Sequence, residues 1–385
     1  MKFMHLADLH LGKRVNDFSM LEDQRYALEQ VLGIVRKERV AGVLIAGDIY
    51  DRQVPPVEAM GLLDDFLTKL SGEGVPVYMV GGNHDSIERV SFGARLMTGS
   101  GIHMAAQYNG EVDTVTVKDE YGMIDIYLLP FLKPAHVRAV WKEQAEEIHT
   151  YQEALDFVTG KIVRDERNRS ILVAHQYVSG AAVCDSEERS IGGLDEVDVS
   201  CFDGFDYVAL GHLHGPQSVG RDTVRYAGTL LKYSFSEVNH KKSVTLVEMA
   251  ERGVIRIDTR QIEPLHEMRK IRGSYMEVTD RSHYENTDTQ DYVHITLTDE
   301  EDIFDAVGKL RAVYPNLMKL EYDNARTRSA QTVMAPEDIQ MKPPLRLCEE
   351  LFALQNNKPM GKEQKIYMEE LVREIWEEGK DAESI

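Results

Sequence analysis

The sequence predicts an α/β fold organised around a largely parallel sheet. Apolar runs of strand length recur between Lys2 and His214, and amphipathic helical patterns separate the early ones. Each of these runs stops abruptly at Asp, Asn or His. Strand, helix, strand at this spacing implies right-handed crossovers between parallel strands.

The elements follow in order. "KFMHLADLH" is the first strand, and "EDQRYALEQVLGIVRKERV" after it sets Leu28, Val31, Leu32 and Val35 on one helical face. "AGVLIAGDIYD" is the second strand, followed by "PVEAMGLLDDFLTKL" with Met60, Leu63, Phe66, Leu67 and Leu70 as its stripe. "VPVYMVGGNHD", "SILVAHQ" and "FDYVALGHLH" complete the set of strands. "EVDTVTVKDEYGMIDIYLLPF" reads as a hairpin, and residues 222–262 as a run of antiparallel strands. "YVHITLTDEEDIFDAVGKLRAVYPNLMKLEYDN" gives strand, helix, strand, a small α+β unit over 271–330. A polar, proline-bearing linker is expected over 331–344. Two amphipathic helices are expected over 345–385, with Leu347, Leu351, Phe352 and Leu354 lining the first and Met368, Leu371, Val372 and Ile375 the second. Such a pair buries little apolar area alone and is expected to pack on the body or against a partner helix.

Composition narrows the class. The chain has 385 residues, 43% hydrophobic and 28% charged, an ordinary globular balance. No apolar run approaches the ~20 residues that span a bilayer, and "MKFMHLADLH" does not read as a signal peptide. Cys184, Cys201 and Cys348 are odd in number and far apart, which fits neither a disulfide framework nor a thiolate zinc site; a reducing cytoplasm is the expected compartment. The net charge of −21 argues against a protein that holds nucleic acid by bulk charge alone. It leaves room for a nuclease whose metal ions supply positive charge locally.

The strand ends carry the chemistry. They present Asp8 and His10, Asp48, Asn83, His175, then His212 and His214. Asp8 and His10 are two apart in a segment read as extended, which points both side chains the same way; His212 and His214 repeat the spacing. Carboxylate, amide and neutral imidazole without thiolate suit a moderately hard ion such as Mn²⁺, with Fe or Zn as alternatives. Seven ligands are too many for one ion and fit two, an arrangement that clamps a phosphate and activates water for in-line attack. Singly each fragment is commonplace; together and in order they point to one site. His5, inside the first strand, is expected in the core, and the remaining histidines fall outside any ligand pattern.

"DLH", "GDIYD", "GNHD", "AHQ" and "GHLH", in this order, resemble the metallophosphoesterase (calcineurin-like) signature. "HLADLHLGKR", "AGDIYDRQVPP" and "VGGNHDS" resemble, more narrowly, the SbcD-type nuclease subunits, strongly over residues 1–270. The resemblance implies two facing mixed sheets flanked by helices in a nuclease domain over 1–270, followed by a capping domain, the linker and a helical partner-binding segment. It implies that Asp8, His214 and His10 hold one ion, that Asn83, His175 and His212 hold the other, and that Asp48 bridges them. His84 would be the catalytic histidine, with Asp85 orienting its ring. Asp51 stands where some relatives carry a second histidine, and a hydrogen-bond or plain turn role is expected of it. The implied activity is metal-dependent hydrolysis of DNA at double-strand ends and in hairpins or single strands, in repair and recombination. The implied partner is an SbcC-like ATPase, engaged through the C-terminal helices by a homodimer within a heterotetramer. The sequence has no Gly-x-x-x-x-Gly-Lys-Ser/Thr loop, so ATP dependence would come from that partner.

Two other functions compete. One is a small-molecule or cyclic-nucleotide phosphodiesterase with the same chemistry, which the acidic charge suits and the extra residues 271–385 disfavour. The other is a DNA-end scaffold without catalysis, disfavoured by the intact ligand set. Lys13, Arg14, Arg52, Arg89, Lys241 and Lys242 are the basic residues nearest the motifs and carry little weight as phosphate contacts.

Overall fold

The computed structural model describes residues 1–187, 195–330, 344–356 and 359–381. The expected linker residues 331–343 and the side chains of Leu354 and Ile375 lie outside the described set. The chain divides into two compact units, Met1–Met268 and Arg269–Ile385.

The first unit holds two six-stranded mixed sheets. One contains β1 (Lys2–Leu6), β2 (Gly42–Ala46), β3 (Val77–Val80) and β4 (Ile102–Ala105), mutually parallel. The other contains the hairpin β5 (Asp113–Asp119) and β6 (Gly122–Leu129), then β7 (Arg169–His175), β8 (Tyr207–Gly211), β9 (Gln217–Val219) and β10 (Arg221–Tyr226), with β6, β7, β8 and β10 parallel. A final hairpin, β11 (Ser243–Met249) and β12 (Ile255–Gln261), joins the first sheet through antiparallel pairing of β11 with β1. The five ligand-bearing runs are therefore split three and two between sheets, and do not share one inner sheet. Residues 222–262 also depart from a continuous antiparallel run. β10 pairs parallel to β8, and β11 and β12 belong to the other sheet, because the largely buried segment 227–242 crosses between them.

The sheets face each other across a shared core. Phe3, Leu44, Tyr78 and Val247 from one meet Ile126, Ile171, Val173 and Tyr207 from the other. Alternation along each strand sends the intervening residues outward. Leu172, Val208, Leu210 and Tyr226 pack there with Leu155 and Val158 of the helix Tyr151–Gly160, whose start is fixed by a capping box between Thr150 and Glu153. The helices Leu21–Glu38 and Val57–Gly72 bury the stripes expected of them, with one exception. Met60 is 40% exposed, because the second stripe is centred on Ala59, Leu63, Phe66 and Leu70, and Met60 lies about a quarter turn away. His5 is fully buried between the sheets, Nδ1 3.0 Å from Tyr207 Oη and Nε2 3.1 Å from the Leu210 carbonyl. Burial pushes its pKa down to about 3, so the ring is a neutral hydrogen-bonding strut.

In the second unit, whose first strand begins at the boundary residue Met268, strands Met268–Gly273, Tyr292–Leu297 and Leu317–Tyr322 form a three-stranded sheet against the short helix Ala306–Arg311. Val278, Val293, Ile295, Leu310 and Tyr314 are its core. Two further helices, Pro344–Asn356 and Lys362–Asp381, pack on each other and share the Lys365–Glu349 ion pair at 2.5 Å. Leu351, Ile366 and Tyr367 on them are more than half exposed.

At the opposite end of β7 from His175, Arg169 is 3% exposed and ties the sheets together. Its guanidinium pairs with the Asp119 carboxylate and donates to the Ala250 and Gly122 carbonyls at 2.8 and 3.0 Å. Burial works against the Asp119 charge, but hydrogen bonds from Arg169 and the Met1 amino group outweigh it and hold the carboxyl well below its ordinary range. Breaking a buried pair from one side leaves the other charge unpaired, so Arg169→Met should cost about 3 kcal/mol of unfolding free energy. The Asp119 contribution is complete above its unfolded pKa of about 4 and is lost as pH falls through the lower folded value. The gap between wild type and variant in denaturant titrations should therefore narrow below about pH 4. A gap independent of pH would remove the ion pair as its cause.

Candidate metal centre

The carboxyl ends of β1, β2 and β3 meet those of β7 and β8. Their ladders continue past the strand ends: Asp8 N donates to the Gly47 carbonyl at 3.1 Å and His10 N to the Asp48 carbonyl at 2.9 Å. The approach leaves no room for side chains at the residues just before three of the site groups. A Cβ at Gly47 would lie 2.3 Å from His175 Nδ1, one at Gly82 2.1 Å from Asp48 Oδ1, and one at Gly211 1.8 Å from the Ala46 carbonyl oxygen. Gly81 and Gly82 do not adopt positive φ, so the demand at the third strand end is for space and not for turn conformation.

Backbone strain is concentrated here. Asp8, His10, Asp48 and His212 have φ of 52°, 43°, 48° and 105°. Left-handed conformations cost non-glycine residues roughly 1–3 kcal/mol each and persist where surrounding structure enforces them. Asp8 and His10 thus converge through left-handed turns, not through the extended alternation read from their spacing.

The convergence is tight. His10 Nε2 lies 3.1 Å from His214 Nε2 and 3.7 Å from Asp48 Oδ2. His175 Nε2 lies 3.5 Å from the same Asp48 oxygen and 2.9 Å from Asn83 Oδ1, which is also 3.0 Å from His212 Nδ1. Asp8 Oδ1 accepts from His212 N at 2.9 Å. Asp48 Oδ2 thus lies within 4 Å of both His10 and His175. Sets of Asp8, His10 and His214, and of Asp8, Asp48 and His175, bring their ligand atoms within 4.8 Å of one another. All seven expected residues are in this one place.

His84 joins them differently from the expectation. Its Nδ1 lies 3.0 Å from the Asp51 carbonyl, its Nε2 3.9 Å from Asp48 Oδ2, and its ring meets His10 edge to face. The Asp85 carboxylate is turned to the backbone, accepting from Ile49 N, Tyr50 N and Gly82 N at 3.1, 3.0 and 2.9 Å. The expected orienting role of Asp85 on the ring is therefore corrected: three amides converge on its carboxylate, which staples two loops together, and the Asp51 main chain meets the ring. The Asp51 side chain accepts from Lys13 at 2.6 Å and lies 3.7 Å from His10 Nδ1, a hydrogen-bond role.

The electrostatics fit cations. Burial, then the neighbouring Asp48 charge, raise the Asp8 pKa well above its ordinary value. Burial also opposes the Asp48 charge, but His175, His84 and the His84 amide hold its pKa low. His10, His175 and His212 are all held below their ordinary pKa, chiefly by burial, hence in the neutral form that ligates metals. Asp8 Oδ2, His10 Nδ1 and His212 Nε2 are buried without a hydrogen-bond partner. Buried polar atoms are rarely left so. Two carboxylates and neutral imidazoles facing one space, with unmatched lone pairs, fit divalent ions.

Behind His214 lies a layer that the motifs did not reveal. Ser186 Oγ is 2.8 Å from His214 Nδ1 and donates to Glu237 Oε1 at 2.6 Å, while Lys242 Nζ reaches Glu237 Oε2 at 2.5 Å. Burial opposes the Glu237 charge, yet the His214 and Lys242 contacts hold its pKa down at about 2. Lys242 is 4% exposed and spent on this network, which removes it from the basic groups available to a phosphate. Glu187 accepts from His214 N and Cys184 N at 2.6 and 2.8 Å. The Cys184 thiol beside it is pushed up to about 12, mainly by burial, so it stays protonated. "CDSEE" and "SFSEVNHKKS" are ordinary polar loops in sequence, and no spacing rule marks them.

Comparison with known proteins places the chain. Residues 1–216 match the calcineurin-like phosphoesterase family, and residues 264–356 match the type 5 capsule protein repressor C-terminal domain. The chain is 33% identical over 345 residues to the SbcD subunit of the SbcCD nuclease of Staphylococcus epidermidis, covering 88% of this chain and 90% of that one. It is 34% identical over 328 residues to the same subunit from Staphylococcus saprophyticus, covering 83% and 84%. A dimetal phosphatase structure from Danio rerio overlaps 69% of this chain and 97% of its own at a TM-score of 0.41 and 14% identity, too slight a likeness to carry an argument. With more than half its length matched by the phosphoesterase family and most of it aligned to these relatives, the chain belongs to the calcineurin-like phosphoesterases and, among them, to the SbcD family of SbcCD nuclease subunits.

Proposed function

We propose that this protein is a DNA phosphodiesterase, the metal-dependent nuclease subunit that works with an SbcC-like ATPase on DNA ends. The observation that carries this reading is the convergence of Asp8, His10, Asp48, Asn83, His175, His212 and His214 on one strained, buried site with unmatched polar atoms. One divalent ion, in our reading Mn²⁺, would be held by Asp8, His10 and His214 and a second by Asn83, His175 and His212, with Asp48 shared. Such a pair supplies charge neutralisation on the phosphate and an activated water at neutral pH.

His84 is the group assigned to proton transfer. At 16% side-chain exposure it is more open than the histidines around it, which favours a place on the substrate side. With Nδ1–H donated to the Asp51 carbonyl, Nε2 is the nitrogen turned to the reacting phosphate, where a protonated ring both balances developing charge and donates to the leaving oxygen. Asp85 keeps the loop carrying His84 against the loop carrying Asp48.

The unit from Arg269 onward is assigned a capping role over residues 271–330, and the two final helices a partner-binding role. The exposed Leu351, Ile366 and Tyr367 support the latter, as apolar side chains on helices suited to a coiled-coil groove. A dimer of this chain within a heterotetramer in the cytoplasm completes the reading. Among the described residues no helix is long and apolar enough to cross a membrane.

The decisive assay compares linear duplex and hairpin DNA with small phosphodiesters, in Mn²⁺, with and without the ATPase. DNA cleavage is expected; turnover of small diesters alone would favour the small-molecule reading, and no turnover of either the scaffold reading. His84→Gln should lower the cleavage rate by about 10²–10⁴ while metal content and DNA affinity stay near wild type, since a general acid acts in the transition state. Cleavage within threefold of wild type would take His84 out of the mechanism. Elemental analysis of Asp48→Ala should show both ions lost; retention of either contradicts a shared ligand. Deleting 345–385 should preserve metal content and the thermal transition of the first unit while abolishing pull-down of the ATPase coiled-coil base. Leu371→Glu should weaken that pull-down about tenfold or more by placing a carboxylate in an apolar contact. Undiminished binding by the truncated chain would move the partner contact elsewhere.

A further inference from the structure

Three side chains that no motif singles out, Ser186, Glu237 and Lys242, form a continuous relay onto one face of His214. Ser186 has a single hydroxyl proton, and it is donated to Glu237 Oε1 at 2.6 Å. Its 2.8 Å contact with His214 Nδ1 must then run the other way, with the ring N–H donating to the serine oxygen. That direction fixes the tautomer: Nδ1 carries the proton and Nε2, which faces His10 Nε2 at 3.1 Å, presents its lone pair to the site. Glu237 is fully buried and is held from the other side by Lys242, at 2.5 Å, whose ammonium also donates to the His214 carbonyl at 2.9 Å and to Thr229 Oγ1 at 2.6 Å. The Tyr233 amide adds a further bond to Glu237 Oε1 at 3.2 Å. The carboxylate therefore cannot swing away, and ring and main chain of His214 are gripped by the same network.

We propose that Ser186 and Glu237, braced by Lys242, are positioning residues that orient His214 and set its tautomer for one of the two ions, with the serine hydroxyl relaying the carboxylate to the imidazole. This inference rests on the reading of His214 as a metal ligand. It assigns to the loop residue Ser186 a task usually given to a carboxylate in direct contact with the ligating ring. Among the described residues, Ser186, Glu237 and Lys242 are hydrogen-bonded to none of the other six proposed ligands. Of the ligands, the Tyr233 ring meets only His10 and His214, which are assigned to the same ion, so the effect is confined to that ion.

The test is titration of metal-free full-length protein with Mn²⁺ alone, read by calorimetry and by the signal of free Mn²⁺, for wild type, Ser186→Ala, Ser186→Thr and Glu237→Gln. Loss of an outer hydrogen bond to a ligand costs roughly 10–100-fold in metal affinity. Ser186→Ala and Glu237→Gln should each weaken one of two ions by about that factor and leave the other within twofold. Ser186→Thr, which keeps the hydroxyl, should restore binding to within about threefold. The thermal midpoint of metal-free Ser186→Ala should match wild type, since a merely structural serine would lower it instead. Wild-type affinity for both ions in Ser186→Ala and Glu237→Gln would overturn the relay. So would equal weakening of both ions accompanied by a lower midpoint. Wild-type protein that takes up no ion would overturn the metal reading itself, and the relay with it.

Discussion

Everything at the site depends on two sheets coming closer at their carboxyl ends than side chains ordinarily permit. The Gly211 Cα and the Ala46 carbonyl are so near that a methyl group would overlap the oxygen, and Gly47 meets the ring of His175 in the same way. Only this contact lets Asp48 from one sheet and His175 from the other address the same point, 3.5 Å apart. Parallel strands on both sides then deliver their ends at one level, with the loop beyond each end free to curl inward. The shared core of Phe3, Tyr78, Ile171 and Tyr207 sets the separation of the sheets, and His5 and Arg169 pin it with polar bonds where apolar packing alone would slide.

The cost of that approach is visible in the backbone. Asp8, His10, Asp48 and His212 occupy left-handed conformations that their side chains disfavour, and several carboxylate and imidazole atoms are buried without partners. A protein selected for stability alone would not keep both liabilities in one place. Bound cations would turn the second into a gain, because the same atoms that lack hydrogen bonds are those with lone pairs to offer. The strain and the unmatched atoms are two aspects of one preorganised cradle.

Around the cradle, charges are arranged in layers. Neutral imidazoles and carboxylates face inward, Asp85 and Glu187 bind amides that hold the loops, and Glu237 with Lys242 forms a closed ion pair behind His214. The net charge of −21 is thus a poor guide to what the site attracts. Much of the acidity near the site is spent internally, and a phosphate would meet whatever ions the site holds before it meets the rest of the surface.

The sequence by itself determined the strand ends, and with them the seven proposed ligands, because metal chemistry demands particular side chains and strands in parallel sheets deliver them at their carboxyl ends; His84 was picked out by the resemblance of its motif. It also contained the glycine before Asp48, Asn83 and His212, although a glycine in a strand–loop junction announces flexibility as readily as close approach. Two facing sheets were implied by the family resemblance, but tertiary structure alone decided which sheet each ligand-bearing strand joins, since a parallel strand reads the same in either. It decided that Asp85 holds backbone amides and that the Asp51 carbonyl meets the His84 ring, because main-chain acceptors have no sequence signature. Ser186, Glu237 and Lys242 were illegible for the same reason: their roles depend on which long-range neighbour their hydrogen bonds find, 28 residues apart for Ser186 and His214 and 51 for Ser186 and Glu237, and no periodicity encodes that meeting.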